Sequence, residues 1–145
     1  MKKMLVSDYD DTFYISDEDI IKNIKLVEKY SDEMIFMIAT GRSYFDYNKK
    51  KDKYNIKSEY VILNHGATII KNDEIIYNVE IENDVKNELI KDLKIENSEK
   101  IFTCSKKESR LDIEHDDLTK IHIKYPSSEY ALEIYNIVNE KYSKH

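Results

Sequence analysis

Three short apolar runs set the frame of this chain. They are Met4-Leu5-Val6, Met34-Ile35-Phe36-Met37-Ile38-Ala39 and Tyr60-Val61-Ile62-Leu63. Continuous apolar runs of this length suit strands buried inside a parallel sheet. The stretches between them read as helices. Ser16-Asp17-Glu18-Asp19 fits a capping box, with Ser16 as the cap and an acid three residues on. The helix it opens is predicted to run to about Tyr30, with Ile20, Ile24 and Val27 on one face. A second helix is predicted over roughly 43–53, after the turn Thr40-Gly41-Arg42-Ser43. Residues 1–66 thus alternate β-α-β-α-β, which predicts an α/β fold around a right-handed parallel sheet.

The pattern then changes. Thr68-Ile69-Ile70 and Ile75-Ile76-Tyr77 flank the polar Lys71-Asn72-Asp73-Glu74 and read as a hairpin. A helix is predicted at 83–95, with Val85, Leu89 and Leu93 on one stripe. Lys100–Cys104 reads as a strand, 105–118 as a charged loop, and Lys120–Tyr125 as a strand ended by Pro126. Ser127 is placed to cap a last helix to about Tyr142, with Ala131, Ile134, Tyr135 and Val138 facing inward. Residues 67–145 are therefore read as a separate α+β part. The boundary near Gly66 rests on the change of pattern, since no flexible linker marks it.

Composition narrows the function classes. Charged residues make up 36% and hydrophobic ones 41% of the 145, as in a soluble globular protein. A net charge of −6 argues against nucleic acid as a partner. No run approaches the roughly 18 apolar residues of a membrane span. The basic start Met1-Lys2-Lys3 precedes too short an apolar run for a secretory signal, so a cytoplasmic location is expected. Cys104 is the only cysteine, which excludes an internal disulfide or a thiolate metal cage.

The chemistry gathers at the ends of the three predicted strands. The first runs into Asp8-Tyr9-Asp10-Asp11-Thr12, and alternation along an extended chain would turn Asp8 and Asp10 to one side. The second ends at Thr40-Gly41 and the third at Asn64-His65-Gly66-Ala67. The carboxyl ends of parallel strands share one sheet edge, where open α/β sheets bind ligands. The Thr40 hydroxyl and the amides opening the next helix suit an anion. Gly41 would let backbone approach a phosphate closely. A carboxylate nucleophile, a second acid and an oxyanion cradle form a coherent set for phosphoryl transfer. Plainer readings stand beside it: a surface ion pair for Arg42, a loop position for His65. The acidic run Asp112, Glu114, His115, Asp116 and Asp117 follows no apolar strand and reads as a solvated loop rather than a metal site.

These motifs resemble those of the haloacid dehalogenase (HAD) superfamily, and more narrowly its Cof-type, class IIB sugar-phosphate phosphatases. The resemblance rests on Asp8-Tyr9-Asp10-Asp11-Thr12, Ala39-Thr40-Gly41-Arg42 and Asn64-His65-Gly66-Ala67. It implies a Rossmann-like core begun by residues 1–66 and an α/β cap begun by 67–145. By resemblance Asp8 is the nucleophile that forms an aspartyl-phosphate, and Asp10 the acid that protonates the leaving alcohol and then activates water. Mg²⁺ would be held by the Asp8 carboxylate and the Asp10 main-chain carbonyl. Thr40, Gly41 and Arg42 would bind or border the phosphoryl group. Thr12 would brace the nucleophile loop, and Asn64, His65 and Gly66 would support the site. The implied substrates are small phosphorylated metabolites such as sugar phosphates.

Two departures from the family pattern matter. His65 stands where the family writes Asn. No glycine follows Gly66, so the downstream Gly-Asp-x-x-x-Asp motif and its companion Lys are missing, and the chain is expected to stop within the cap. The family's first strand is central, so residues 3–7 are expected to present an open apolar edge here. That predicts a homo-oligomer, aggregation or a complementing segment. The alternative function is a catalytically silent HAD protein that binds metal, phosphate or a partner chain. A receiver-like signalling domain is disfavoured, because its acceptor Asp would end the third strand, where this chain has Asn64-His65-Gly66.

Overall fold

Each apolar run becomes a strand, and each capping serine starts a helix. The structure is a computed structural model that describes residues 2–143. It divides into two compact units. The first runs to Val79 and takes in Lys106–Glu108; the second comprises Glu80–Ser105 and the chain from Ser109 onward.

The first unit contains β1 (Lys3–Asp8), α1 (Asp17–Lys29), β2 (Met34–Ala39), α2 (Tyr44–Tyr54), β3 (Tyr60–Leu63), β4 (Thr68–Lys71) and β5 (Glu74–Asn78). Ser16 accepts from the Asp19 amide at 3.1 Å and donates to its carboxylate at 2.7 Å. Ser43 repeats this at α2 with Asp46, at 3.1 and 2.9 Å. Each cap satisfies an amide that has no partner inside its helix. Asn55, in the left-handed region at φ 52°, ends α2.

The strands form one sheet in the order β1-β2-β3-β4-β5. The first two pairings are parallel, with Leu5 beside Phe36 and Asp8 beside Ala39. The last two are antiparallel. The sheet therefore continues past Gly66, where the sequence pattern placed a boundary, and runs to Asn78. A 3₁₀ turn at Asn64–Gly66, with φ of 50°, 56° and 103°, reverses the chain and lays Thr68 beside Leu63. Asn72 and Asp73, both at positive φ, close the hairpin in the manner of a type I′ turn.

The core lies on one face of this sheet. Phe36, Ile38, Val61, Leu63 and Ile70 are buried with Phe13, with Ile20 of α1 and with Tyr47 of α2. Ile35, Met37, Tyr60 and Ile62 on the other face are only half-buried. The expectation of strands buried on both faces is thus corrected: α1 and α2 pack on the same side. β1 lies at the sheet edge, with Met4, Leu5 and Val6 58%, 43% and 50% exposed.

The second unit contains α3 (Asn83–Asp92), β6 (Lys100–Cys104), β7 (Lys120–Lys124) and α4 (Ser128–Tyr142). β6 and β7 form an antiparallel pair with Phe102 opposite His122. Ser127 caps α4 by accepting from the Tyr130 amide at 3.2 Å. Cys104, Leu118 and Ile134 are buried. Tyr135, expected inside, is 60% exposed, because Ile134 takes the inward position of that turn. Lys86 of α3 is buried instead.

Candidate active site

Parallel pairing brings the ends of the first three strands together. Asp8 is the last residue of β1, in register with Ala39 at the end of β2. A hollow of about 350 Å³ opens there, lined by Asp8, Ala39, Thr40, Gly41, Ile62, His65 and Gly66. Thr40 is buried; its amide donates to the Ile62 carbonyl at 2.9 Å, and its hydroxyl oxygen accepts from the Arg42 amide at 3.2 Å. Gly41 is constrained by His65. A Cβ on Gly41 would collide with the imidazole, lying 2.6 Å from Nε2 and 3.0 Å from Nδ1. The His65 amide in turn points back to the Thr40 carbonyl at 3.4 Å. Asp8, Thr40, Gly41, His65 and Gly66, each singled out from the sequence, therefore share one concavity. Asn64 is buried beside it, its amide donating to the Arg42 carbonyl at 3.0 Å.

Asp10 does not line this hollow. Strand geometry ends at Asp8, and the chain folds back on itself through backbone bonds from Phe13 to the Asp8 carbonyl (3.2 Å) and from Tyr14 to the Tyr9 carbonyl (2.7 Å). Asp11 takes φ 58° in this turn. The alternation that would align Asp8 with Asp10 is thereby broken. Those backbone bonds brace the loop, and Thr12 lies exposed on the turn.

The Asp10 carboxylate is instead held by Arg42. Arg42 Nε donates at 2.9 and 3.1 Å to its two oxygens, and Nη2 donates at 2.7 Å. This fork geometry orients as well as attracts. It also holds the Arg42 guanidinium above its ordinary pKa, chiefly through the Asp10 hydrogen bonds. Arg42 therefore contacts the second acid. Beneath the pair lies Tyr9, fully buried, its ring stacked on Tyr14 and edge-on to Tyr47, with the guanidinium 5.3 Å from its centroid. Burial pushes the Tyr9 phenol well above its usual pKa, against the lowering effect of Arg42. Among the described residues its hydroxyl has no hydrogen-bond partner. Neither the Arg42–Asp10 fork nor the unpartnered Tyr9 hydroxyl follows from the motif spacing.

Among the described residues there is no group of three or more His, Cys, Asp or Glu side chains that could hold a metal ion. Mg²⁺, however, commonly takes only one or two protein carboxylates and draws the rest of its shell from water and substrate phosphate. Asp8, which lines the hollow, is one such carboxylate. Among the described residues, no helix is long and apolar enough to cross a membrane.

A carboxylate at the tip of the first parallel strand and a Thr-Gly turn at the tip of the second define an α/β domain of the HAD type. The sequence model of the haloacid dehalogenase-like hydrolases matches residues 5–144, and the chain belongs to that family. No curated protein matches its sequence. Solved structures do. A hypothetical protein from Geobacillus kaustophilus HTA426 superposes with a TM-score of 0.67 at 12% identity, over 94% of this chain and 62% of that one. A haloacid dehalogenase-like hydrolase from B. subtilis gives 0.56 at 23% identity, over 70% of this chain and 35% of its own. The HAD subclass IIB sugar phosphatase BT4131 gives 0.51 at 17% identity, over 96% and 50%. At these identities the likeness is one of fold. The chain spans between about a third and two thirds of the length of these three neighbours.

Proposed function

We propose that this chain carries the nucleophile half of a phosphomonoester hydrolase, acting on small phosphorylated metabolites such as sugar phosphates. The observation that carries the reading is the shared hollow of Asp8, Thr40 and Gly41. Its size suits a phosphoryl group, and its donors suit an oxyanion. An Asp8 oxygen attacks phosphorus as the bond to the leaving oxygen breaks, giving an aspartyl-phosphate. Asp10, released from Arg42 and protonated from solvent, passes that proton to the departing alkoxide. The Asp10 carboxylate then takes a proton from water, whose oxygen attacks phosphorus, releasing inorganic phosphate and restoring Asp8. Arg42 holds Asp10 beside the hollow, so the turn 9–14 must deliver that carboxylate inward for both transfers. The Thr40 hydroxyl and the Gly41 backbone cradle the phosphoryl oxygens. Mg²⁺, held by Asp8 and the Asp10 carbonyl, would offset phosphate charge when bound.

A second reading is favoured by the small donor set. Among the described residues no group of three metal-ligating side chains gathers, and the same hollow would serve a protein that binds phosphate or metal without turnover. Hydrolysis of p-nitrophenyl phosphate with Mg²⁺ separates the two. The enzyme reading expects turnover that Asp8→Asn lowers by about 10³-fold or more while the fold is kept. Absence of turnover in a folded chain that still binds inorganic phosphate selects the silent reading.

A further inference from the structure

The turn after β3 is tied to the turn after β2 by two main-chain bonds. The Asn64 amide donates to the Arg42 carbonyl at 3.0 Å, and the His65 amide to the Thr40 carbonyl at 3.4 Å. Asn64 and His65 both take positive φ, at 50° and 56°. Asparagine and histidine are among the few residues with side chains that adopt this region at all readily. Such backbone persists only where its surroundings hold it, and it gathers at ligand sites. Its effect here is to set the His65 imidazole against Gly41. The ring takes the space that a Cβ on Gly41 would need, 2.6 Å from Nε2.

The donors of the hollow single out this ring. Among the described residues that line it, only Thr40 and His65 carry a side-chain O–H or N–H. Asp8, when ionised, offers acceptors alone, and the other lining side chains are apolar or absent. Thr40 is buried, whereas His65 is exposed. An imidazole keeps a ring N–H whether it is neutral or charged.

We propose that His65, seated on Gly41, is a ligand of the phosphoryl group in this hollow, its ring N–H donating to a phosphoryl oxygen. Thr40 and His65 then grip the group from the ends of β2 and β3. Gly41 serves both, because its bare Cα seats the ring. This role rests on the reading of the hollow as a phosphate site, and it holds for the hydrolase and the silent protein alike. A dependence between two residues follows: the cost of a side chain at position 41 is set by what stands at position 65.

Inorganic phosphate is the probe, titrated into the full chain at fixed pH and ionic strength and followed by NMR. The His65 ring C–H signals and the Gly41 amide should shift together and give one Kd, while the rings of His115 and His122 stay still. His65→Asn keeps a residue that tolerates positive φ, so it should leave far-UV circular dichroism unchanged and raise Kd by about 10-fold. Gly41→Ala should raise Kd in the wild-type chain and add little once His65→Asn is present. The wild-type ring signal decides the matter should either variant fail to fold. A Gly41 amide that shifts beside a stationary His65 ring places phosphate in the hollow without this ligand and overturns the role of His65 alone. So does His65→Asn with a Kd within about 2-fold of wild type, or a Gly41→Ala effect that is the same in both backgrounds. No saturable shift at Thr40 or Gly41 overturns the reading of the hollow itself, and the role of His65 falls with it.

Discussion

Replacing Lys86 with Met tests whether a buried ammonium fastens the acidic loop of the second unit. Lys86 is 2% exposed. Its Nζ donates to the His115 carbonyl at 2.7 Å and the Glu114 carbonyl at 3.1 Å, and lies 3.4 Å from the Asp116 carboxylate. Hydrogen bonds from a charged donor contribute about 1.5–3 kcal/mol each, so two such bonds set a ceiling of about 3–6 kcal/mol. Two effects lower it. Glu114 and His115 are exposed, so water can replace the lost donor. Removing the ammonium also removes the cost of burying it. The Asp116 carboxylate is 73% exposed and adds under about 1 kcal/mol. Methionine keeps the length and apolar stem of lysine, so no cavity term enters. The net expectation is a loss of about 2–3 kcal/mol. Urea unfolding followed by tyrosine fluorescence reads it directly, since the chain has 12 tyrosines and no tryptophan. Trypsin cleavage at Lys106, Lys107 and Arg110 should quicken in parallel if the loop is released. A variant within about 0.5 kcal/mol of wild type, or a stabilised one, would refute the argument and make Lys86 a tolerated buried charge.

Tyr9→Phe removes a buried hydroxyl that has no partner among the described residues and keeps the stacked ring, so the chain should gain about 0.5–1 kcal/mol. A lower Tm in differential scanning calorimetry would show instead that the hydroxyl is satisfied in solution. Asp17 is held well below its ordinary carboxylate range by hydrogen bonds from Tyr54, Lys53 and Tyr14, the first being the largest effect. Its folded pKa is depressed, so its contribution is present above the unfolded value near 3.8 and fades as pH falls through the lower folded one. Melting curves of wild type and Asp17→Asn should accordingly differ most near neutrality and converge in acid. A constant difference across that range contradicts the linkage.

Local signals made much of this fold legible. Ser16 and Ser127 each start a helix as the sequence implied, because a cap is decided within four residues, and Ser43 proves to be a third such cap. The strand ends placed Asp8, Thr40 and Gly41 together, because parallel pairing leaves little freedom over which ends meet. Features set by distant partners were not legible. The hairpin of β4 and β5 reads correctly as a hairpin, but its union with β3 depends on which edge is free. Lys86 is buried with its ammonium donating hydrogen bonds to two carbonyls 28 and 29 residues further along, partners that no local pattern names. The fork between Arg42 and Asp10 joins residues 32 apart, and no local pattern names that partner.

That last pairing changes the electrostatics expected at Asp8. With Arg42 directed to Asp10, no ion pair among the described residues includes Asp8. A carboxylate attacking a phosphate brings two anions together, and at 4 Å this repulsion is about 4 kcal/mol per unit charge pair at an effective dielectric of 20. That is about three orders of magnitude in rate if uncompensated. Thr40 and Gly41 can supply donors but no net charge. On the proposed reading the compensating positive charge comes from beyond these side chains, and a divalent cation held at Asp8 would supply it. Turnover of p-nitrophenyl phosphate should then rise with Mg²⁺ concentration, and turnover that is indifferent to the cation would refute this account of the hollow.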